Sequence, residues 1–268
     1  MRAKGCLPSP SRISAPTSTA RRAMSSLKRT RRNTMKNQWI KDTCWTNEPF
    51  LNGPVRAVTV SFHGLNGGYR NENATEFEIA LAERGILVVA PYYGPWSWMN
   101  RQARAFVDRL IAAVYRDLEL GENLPLIASG GSMGGCSALL YCRYGEKKPV
   151  GCDALYPVCD AVSHFGERPD LPASFYHAFL GYPEPLEELL REHSPLHQAA
   201  AMPDIPYLFI HGDADRSVNK GRHSDRMVEE LRRLGRRVEY VEVPRMGHGV
   251  NLPLSVSLKR LEFIAGLL

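Results

Sequence analysis

"LIASGGSMGGCSALLYCRY", Leu126 to Tyr144, sets a short apolar run against a helix-compatible one and places a serine between pairs of glycines. Leu126–Ser129 suits a buried strand, while Met133, Cys136, Leu140 and Tyr144 recur on one face of a helix. Glycines weaken both kinds of structure, so their concentration at the junction needs a reason. Gly130-Gly131-Ser132-Met133-Gly134 fits a G-x-S-x-G elbow, a sharp strand-to-helix turn that pushes a serine hydroxyl out above a sheet. Side chains at Gly130 and Gly134 would collide with the neighbouring strand and helix; Gly131 and Gly135 add room the motif does not demand. The turn also leaves the Met133 N–H at the positive end of a helix. Neither a Walker loop nor a G-x-G-x-x-G after the first strand is present, which removes the phosphate-cradling readings.

Outward from this junction, strands alternate with helices. "VRAVTVSFHG" from Val55, "ILVVAP" (Ile86–Pro91), "LPLIAS" (Leu124–Ser129), "GCDALYPV" (Gly151–Val158), "YLFIHG" (Tyr207–Gly212) and "VEYVEV" (Val238–Val243) read as strands. Helices are expected over Glu72–Arg84, Asn100–Leu120, Gly221–Leu234 and Asn251–Leu268. This alternation predicts an α/β fold with a mostly parallel sheet covered on both faces. No second domain boundary is visible in 37–268, and residues 161–204 read as a lid-like insertion over the sheet.

In such a sheet the functional loops gather at the carboxyl ends of the strands. His63-Gly64, Ser132, Asp213/Asp215 and His248 fall there, and the order Ser, Asp, His, each after a strand, is that of the α/β-hydrolase fold. Ser132 is the candidate nucleophile, His248 its base and Asp215 the acid that orients the histidine. Asp213 is the alternative acid and Asp160 a more distant one, since carboxylates are common in turns. His63 and His211 are expected to be buried loop organisers. His164, His177, His193 and His197 are expected at the solvent or the pocket rim, and His223 on a solvated helix face. "PYYGPWSWMN" (Pro91–Asn100) places Tyr92, Tyr93, Trp96 and Trp98 where they could line an apolar pocket. Phe165, Phe175, Tyr176 and Phe179 would form its lid.

"GGSMGG", "SPLHQAAAMPDIPYLFIHGDADRSV" and "PRMGHG" together resemble the catalytic domain of the prolyl-oligopeptidase family and its small esterase relatives, over roughly residues 55–265. The resemblance implies a triad acid at Asp215, within His211-Gly212-Asp213-Ala214-Asp215-Arg216-Ser217-Val218, and a triad histidine at His248. It also implies an oxyanion hole at the strand end His63-Gly64. Relatives continue H-G-G where this chain reads "HGLNGG", so the hole is assigned to the N–H groups of Leu65 and Met133. The family's peptidases carry a β-propeller before the hydrolase domain, for which this sequence has no room. The expected function is therefore hydrolysis of small carboxylic esters through an acyl-enzyme, with a short-peptide peptidase as the alternative and a silent binding fold as a remoter one. No cofactor and no metal are expected.

Composition is that of a globular chain: 268 residues, 44% hydrophobic, 23% charged. The net charge of +6 is a property of one end. Residues 1–36 hold ten Lys/Arg and no acidic residue, leaving 24 basic against 28 acidic residues in 37–268. That Ser-, Pro- and Arg-rich stretch predicts a disordered basic tail without a signal-peptide core. The mildly acidic remainder gives no reason to expect nucleic acid. Six cysteines without a C-x-x-C pair suggest buried free thiols and a reducing, cytoplasmic setting. No apolar run is long enough to span a membrane.

Overall fold

The structure, a computed structural model, describes residues 35–68, 73–249 and 251–268. The expected tail thus lies outside the described residues as far as position 34. Its last two residues belong to the folded chain: Met35 is buried, and the Lys36 N–H donates to Asp117 Oδ2 at 2.7 Å.

The described elements run α1 (Gln38–Thr43), β1 (Cys44–Thr46), β2 (Ala57–Phe62), α2 (Glu76–Glu83), β3 (Ile86–Pro91), α3 (Arg101–Asp117), β4 (Leu126–Gly131), α4 (Met133–Tyr144) and β5 (Gly151–Leu155). Three short α-helices follow in the insertion, α5 (Ala161–His164), α6 (Leu171–Ala178) and α7 (Leu186–Glu192), and then a 3-10 helix, Pro195–Ala201. The chain closes with β6 (Tyr207–Gly212), α8 (Ser224–Arg233), β7 (Val238–Val243) and α9 (Leu254–Ala265). The strands form one sheet in the order β1-β3-β2-β4-β5-β6-β7, parallel throughout except for the antiparallel β1–β3 pair.

Side chains two apart on a strand share a face, and both faces here are apolar. Val58, Val60, Leu87, Val89, Tyr207 and Phe209 join the large core under α3, α4 and α8. Ala57, Ile86, Val88 and Ile127 meet Leu81 of α2 and Leu261 and Ile264 of α9 on the other face. This explains the unbroken apolar runs of the sequence, which an exposed sheet face would have interrupted. Helix α4 is enclosed more fully than one-sided spacing suggests: every residue from Met133 to Cys142 is buried.

The expected helix starts shift to capping residues. Glu72 lies outside the described residues, and α2 begins after Thr75, whose Oγ1 accepts the Glu78 N–H while Glu78 Oε2 accepts the Thr75 N–H. Asn100 caps α3 in the same way, through Ala103 N–H at 2.9 Å. Next to β1, buried Asn47 extends the sheet edge with its side chain. Its amide donates to Glu78 O and Ile86 O, and its carbonyl accepts the Val88 N–H at 2.7 Å.

One buried ion pair ties α9 to the sheet. Asp153 of β5 is fully buried, accepts from Ser129 Oγ at 2.8 Å and faces Arg260 Nη2 at 2.7 Å. Arg260→Met is expected to cost about 3–5 kcal/mol, because it strands the carboxylate without its counter-charge. Urea denaturation checks this, and the double variant Asp153→Asn/Arg260→Met should recover much of the loss. The five described cysteines are free and buried. Among the described residues no helix is long and apolar enough to cross a membrane.

Candidate active site

The elbow is built from close approaches. A Cβ on Gly130 would lie 2.3 Å from Gly134 O, and one on Gly134 would lie 2.1 Å from Phe62 O. Gly131 and Gly135 are confined too, though less severely: a Cβ there would meet the Tyr156 ring at 2.9 Å and Pro157 Cβ at 2.7 Å. Between them Ser132 adopts φ 60°, ψ −124°, a backbone region costly for any residue but glycine. Its N–H donates to Leu155 O and its carbonyl accepts from Cys136 and Val158, so the turn is fixed by backbone bonds.

The hydroxyl so presented meets His248, which follows β7. Ser132 Oγ–H donates to His248 Nε2 at 3.0 Å, and His248 Nδ1–H donates to Asp215 Oδ2 at 2.7 Å. This tautomer follows from Asp215 being able only to accept. The other oxygen, Oδ1, accepts the N–H groups of Ser217 and Val218 at 2.8 and 3.0 Å. Burial opposes the charge on Asp215, but the bonds from His211, His248 and Val218 outweigh it and hold the carboxyl well below the usual range. An ionised acid, a neutral histidine and a hydroxyl in series can move a proton from the serine to the imidazole.

The competing acids are placed elsewhere. Asp213 accepts the Arg245 N–H, and Asp160 caps α5 through Ser163 while pairing with Arg226. His211 is the buried organiser expected, its Nε2 between Val218 O and Asp215 Oδ2 and its Nδ1 accepting from Ser224 Oγ. His63 Nδ1–H donates to Gly64 O at 2.9 Å, and burial lowers its pKa.

The strand end His63-Gly64 lies against the elbow: a Cβ on Gly64 would sit 3.7 Å from Ser132 Cβ. Among the described residues, no acceptor takes up the N–H of Leu65 or of Met133. The Leu65 loop is pinned by Asn66, in the left-handed region at φ 61°, whose N–H donates to Pro95 O and whose side chain accepts from Trp96 Nε1.

A cavity of about 370 Å³ opens over the serine, lined by Gly64–Asn66, Gly131, Ser132, Tyr156, Arg168, His248 and Gly249. The aromatic residues expected to line it are used differently. Trp98 is 1% exposed, stacks on Phe175 at 4.1 Å between centroids and donates to Ser174 Oγ, so it bolts its loop to the insertion. Tyr93 is buried, with its hydroxyl on His63 O. Tyr92, Tyr93 and Trp96 border a separate cleft of about 260 Å³ with Phe106 and His177. Phe165 and the 60% exposed Tyr176 pack against each other. Tyr156 and Arg168, unmarked in the sequence, line the cavity instead. Only the position of Tyr156 at the end of β5 could have pointed to it.

The histidines depart most from expectation. His164, His193 and His223 are buried, not peripheral. His164 Nδ1–H donates to Glu167 Oε2 at 2.7 Å, and His223 Nε2–H donates to the same oxygen at 3.2 Å. Their ligand atoms lie within 4.8 Å of one another, close enough to suggest a metal. His223 argues otherwise: its Nδ1 accepts the N–H groups of Cys159 and Asp160, both at 3.1 Å. The proton must then sit on Nε2, occupying the lone pair a metal would need. The cluster is a hydrogen-bonded clamp on the insertion.

A doubly covered parallel sheet with a serine on a strained elbow, followed in sequence by an acid and a histidine, defines an α/β-hydrolase. The profile of the prolyl oligopeptidase family matches residues 105–266, and the chain belongs to that family of serine hydrolases. No functionally curated protein matches it in sequence. Among solved structures, a puromycin-hydrolyzing peptidase of Mycobacterium tuberculosis superposes with a TM-score of 0.65 at 19% identity over 81% of this chain and 34% of that one. The acylaminoacyl peptidase of Pyrococcus horikoshii gives 0.65 at 18% over 80% of this chain and 37% of its own. A lipase in its open form gives 0.60 at 15% over 81% of this chain and 91% of the lipase. The chain therefore spans about a third of these peptidases.

Proposed function

We propose that the chain hydrolyses small carboxylic esters through an acyl-enzyme on Ser132. The observation that carries this reading is the series Ser132 Oγ–His248 Nε2, 3.0 Å, and His248 Nδ1–Asp215 Oδ2, 2.7 Å. His248 takes the serine proton as Oγ attacks the carbonyl carbon, then returns it to the departing alkoxide; water, deprotonated by the same histidine, releases the acid. The Leu65 and Met133 N–H groups receive the oxyanion.

Esters are favoured over peptides by the lining of the cavity. No carboxylate is among its described lining residues, so a peptide amino terminus meets no counter-charge there. Family membership supports short peptides as the second reading. Release of p-nitrophenol from acetate, butyrate and octanoate esters, beside release of p-nitroaniline from short peptide anilides, separates the two. The expected result is ester turnover with kcat/KM for octanoate roughly tenfold below that for butyrate, since the small cavity leaves the longer chain outside. Turnover of anilides alone would favour the peptidase.

A further inference from the structure

Among the described residues lining the Ser132 cavity, Arg168 is the one permanently charged side chain. It comes from the insertion, between α5 and α6, and its presentation is fixed from both sides. The preceding residue, Glu167, is gripped by His164 and His223 and approached by Arg222 at 3.4 Å, so its carboxylate is held within the clamp. The guanidinium itself is held by Asp170, with Nε on Oδ1 at 3.0 Å and Nη2 on Oδ2 at 2.7 Å. That fork uses one edge and leaves Nη1 without a partner among the described residues. An arginine braced in this way, one third exposed, loses little freedom when a second anion arrives.

We propose that Arg168 receives a carboxylate carried by the substrate, so that the site selects acyl esters ending in a carboxylate over neutral esters of the same size. This rests on the reading of Ser132 for its chemistry but not for its recognition. A planar guanidinium matches a carboxylate through paired N–H donors, and a cavity of about 370 Å³ brings such a group and the ester carbonyl into one small space. Asp170, Asp215 and Glu167 are the acidic groups whose charge Arg168 feels. Together they offset part of the arginine's charge, so the preference should be moderate and should weaken with salt.

The test compares p-nitrophenyl hydrogen succinate with the butyrate, and hydrogen glutarate with the pentanoate, each pair differing by a terminal carboxylate in place of a methyl. In wild type, kcat/KM should favour the carboxylate member by about tenfold in at least one pair, the scale of one charge-assisted hydrogen bond at a partly exposed site. Arg168→Gln should bring that ratio close to one, mainly through KM. Calorimetric titration with glutarate, comparing Ser132→Ala with Ser132→Ala/Arg168→Gln, reads recognition without turnover and should show about tenfold weaker binding in the double variant. Glutarate binding that depends on Arg168 in a protein inert to every ester would overturn the esterase reading and keep Arg168 as the receiver of a carboxylate. Ester turnover with no carboxylate preference, or a preference that survives Arg168→Gln, would make the Arg168–Asp170 pair a loop brace only and overturn the proposal.

Discussion

Ser132→Ala is expected to lower kcat for ester hydrolysis by about five to six orders of magnitude, the scale seen when a triad nucleophile is removed, while leaving the protein folded. The side-chain hydroxyl makes its hydrogen bond to His248 and does not cap α4, so its loss takes nothing from the helix. Ser132→Gly should be equally inactive yet more stable than Ser132→Ala. At φ 60°, ψ −124° a Cβ is strained, and relieving such strain is worth about 1 kcal/mol or more. In a domain of this size that corresponds to a rise of about 2–4 °C in Tm. Activity that survived in both variants would remove Ser132 from the chemistry. A glycine variant less stable than the alanine one would mean that the elbow stores no strain at the serine.

The elbow was readable because close approaches of the backbone demand glycine at Gly130 and Gly134. Strands 86–91, 207–212 and 238–243 coincide with their expected bounds, because a sheet covered on both faces leaves continuous apolar runs bounded by turn residues. The three residues of β1 are too few for any periodicity, and that strand was missed. The order of Ser132, Asp215 and His248 was legible because each follows a strand, at the ends of β4, β6 and β7. The cavity lining was not, because it is assembled from loops remote in sequence. Trp98 and Tyr93 have the composition of pocket residues but spend their surface on Phe175 and the β2 end. His223 looked solvated beside Arg222 and Arg226; it is buried because its Nδ1 accepts N–H groups more than 60 residues earlier in the chain. Sequence patterns encode which face is apolar far better than which distant donor will satisfy a polar atom.

Asp215→Asn should be nearly as damaging as loss of the serine, with kcat falling by about four orders of magnitude and little change in fold. The reason lies in the oxygen that does not touch His248. Oδ1 accepts two backbone N–H groups, from Ser217 and Val218, and an asparagine must keep its carbonyl oxygen there or leave both donors unsatisfied. Its NH2 is then forced into the Oδ2 position, facing His248 Nδ1 as a donor. The imidazole can meet a donor only by carrying its proton on Nε2, the atom that must accept from Ser132, so the base is blocked by its own tautomer. Asp213→Asn is the matched control: its carboxylate accepts the Arg245 N–H and has no part in the series, so kcat should stay within about twofold, as for ordinary surface changes. The two variants are separated by steady-state kinetics on p-nitrophenyl butyrate. Should Asp213→Asn be the crippled one, the acid would be misassigned. Equal activity in both would mean that His248 is oriented by something other than Asp215.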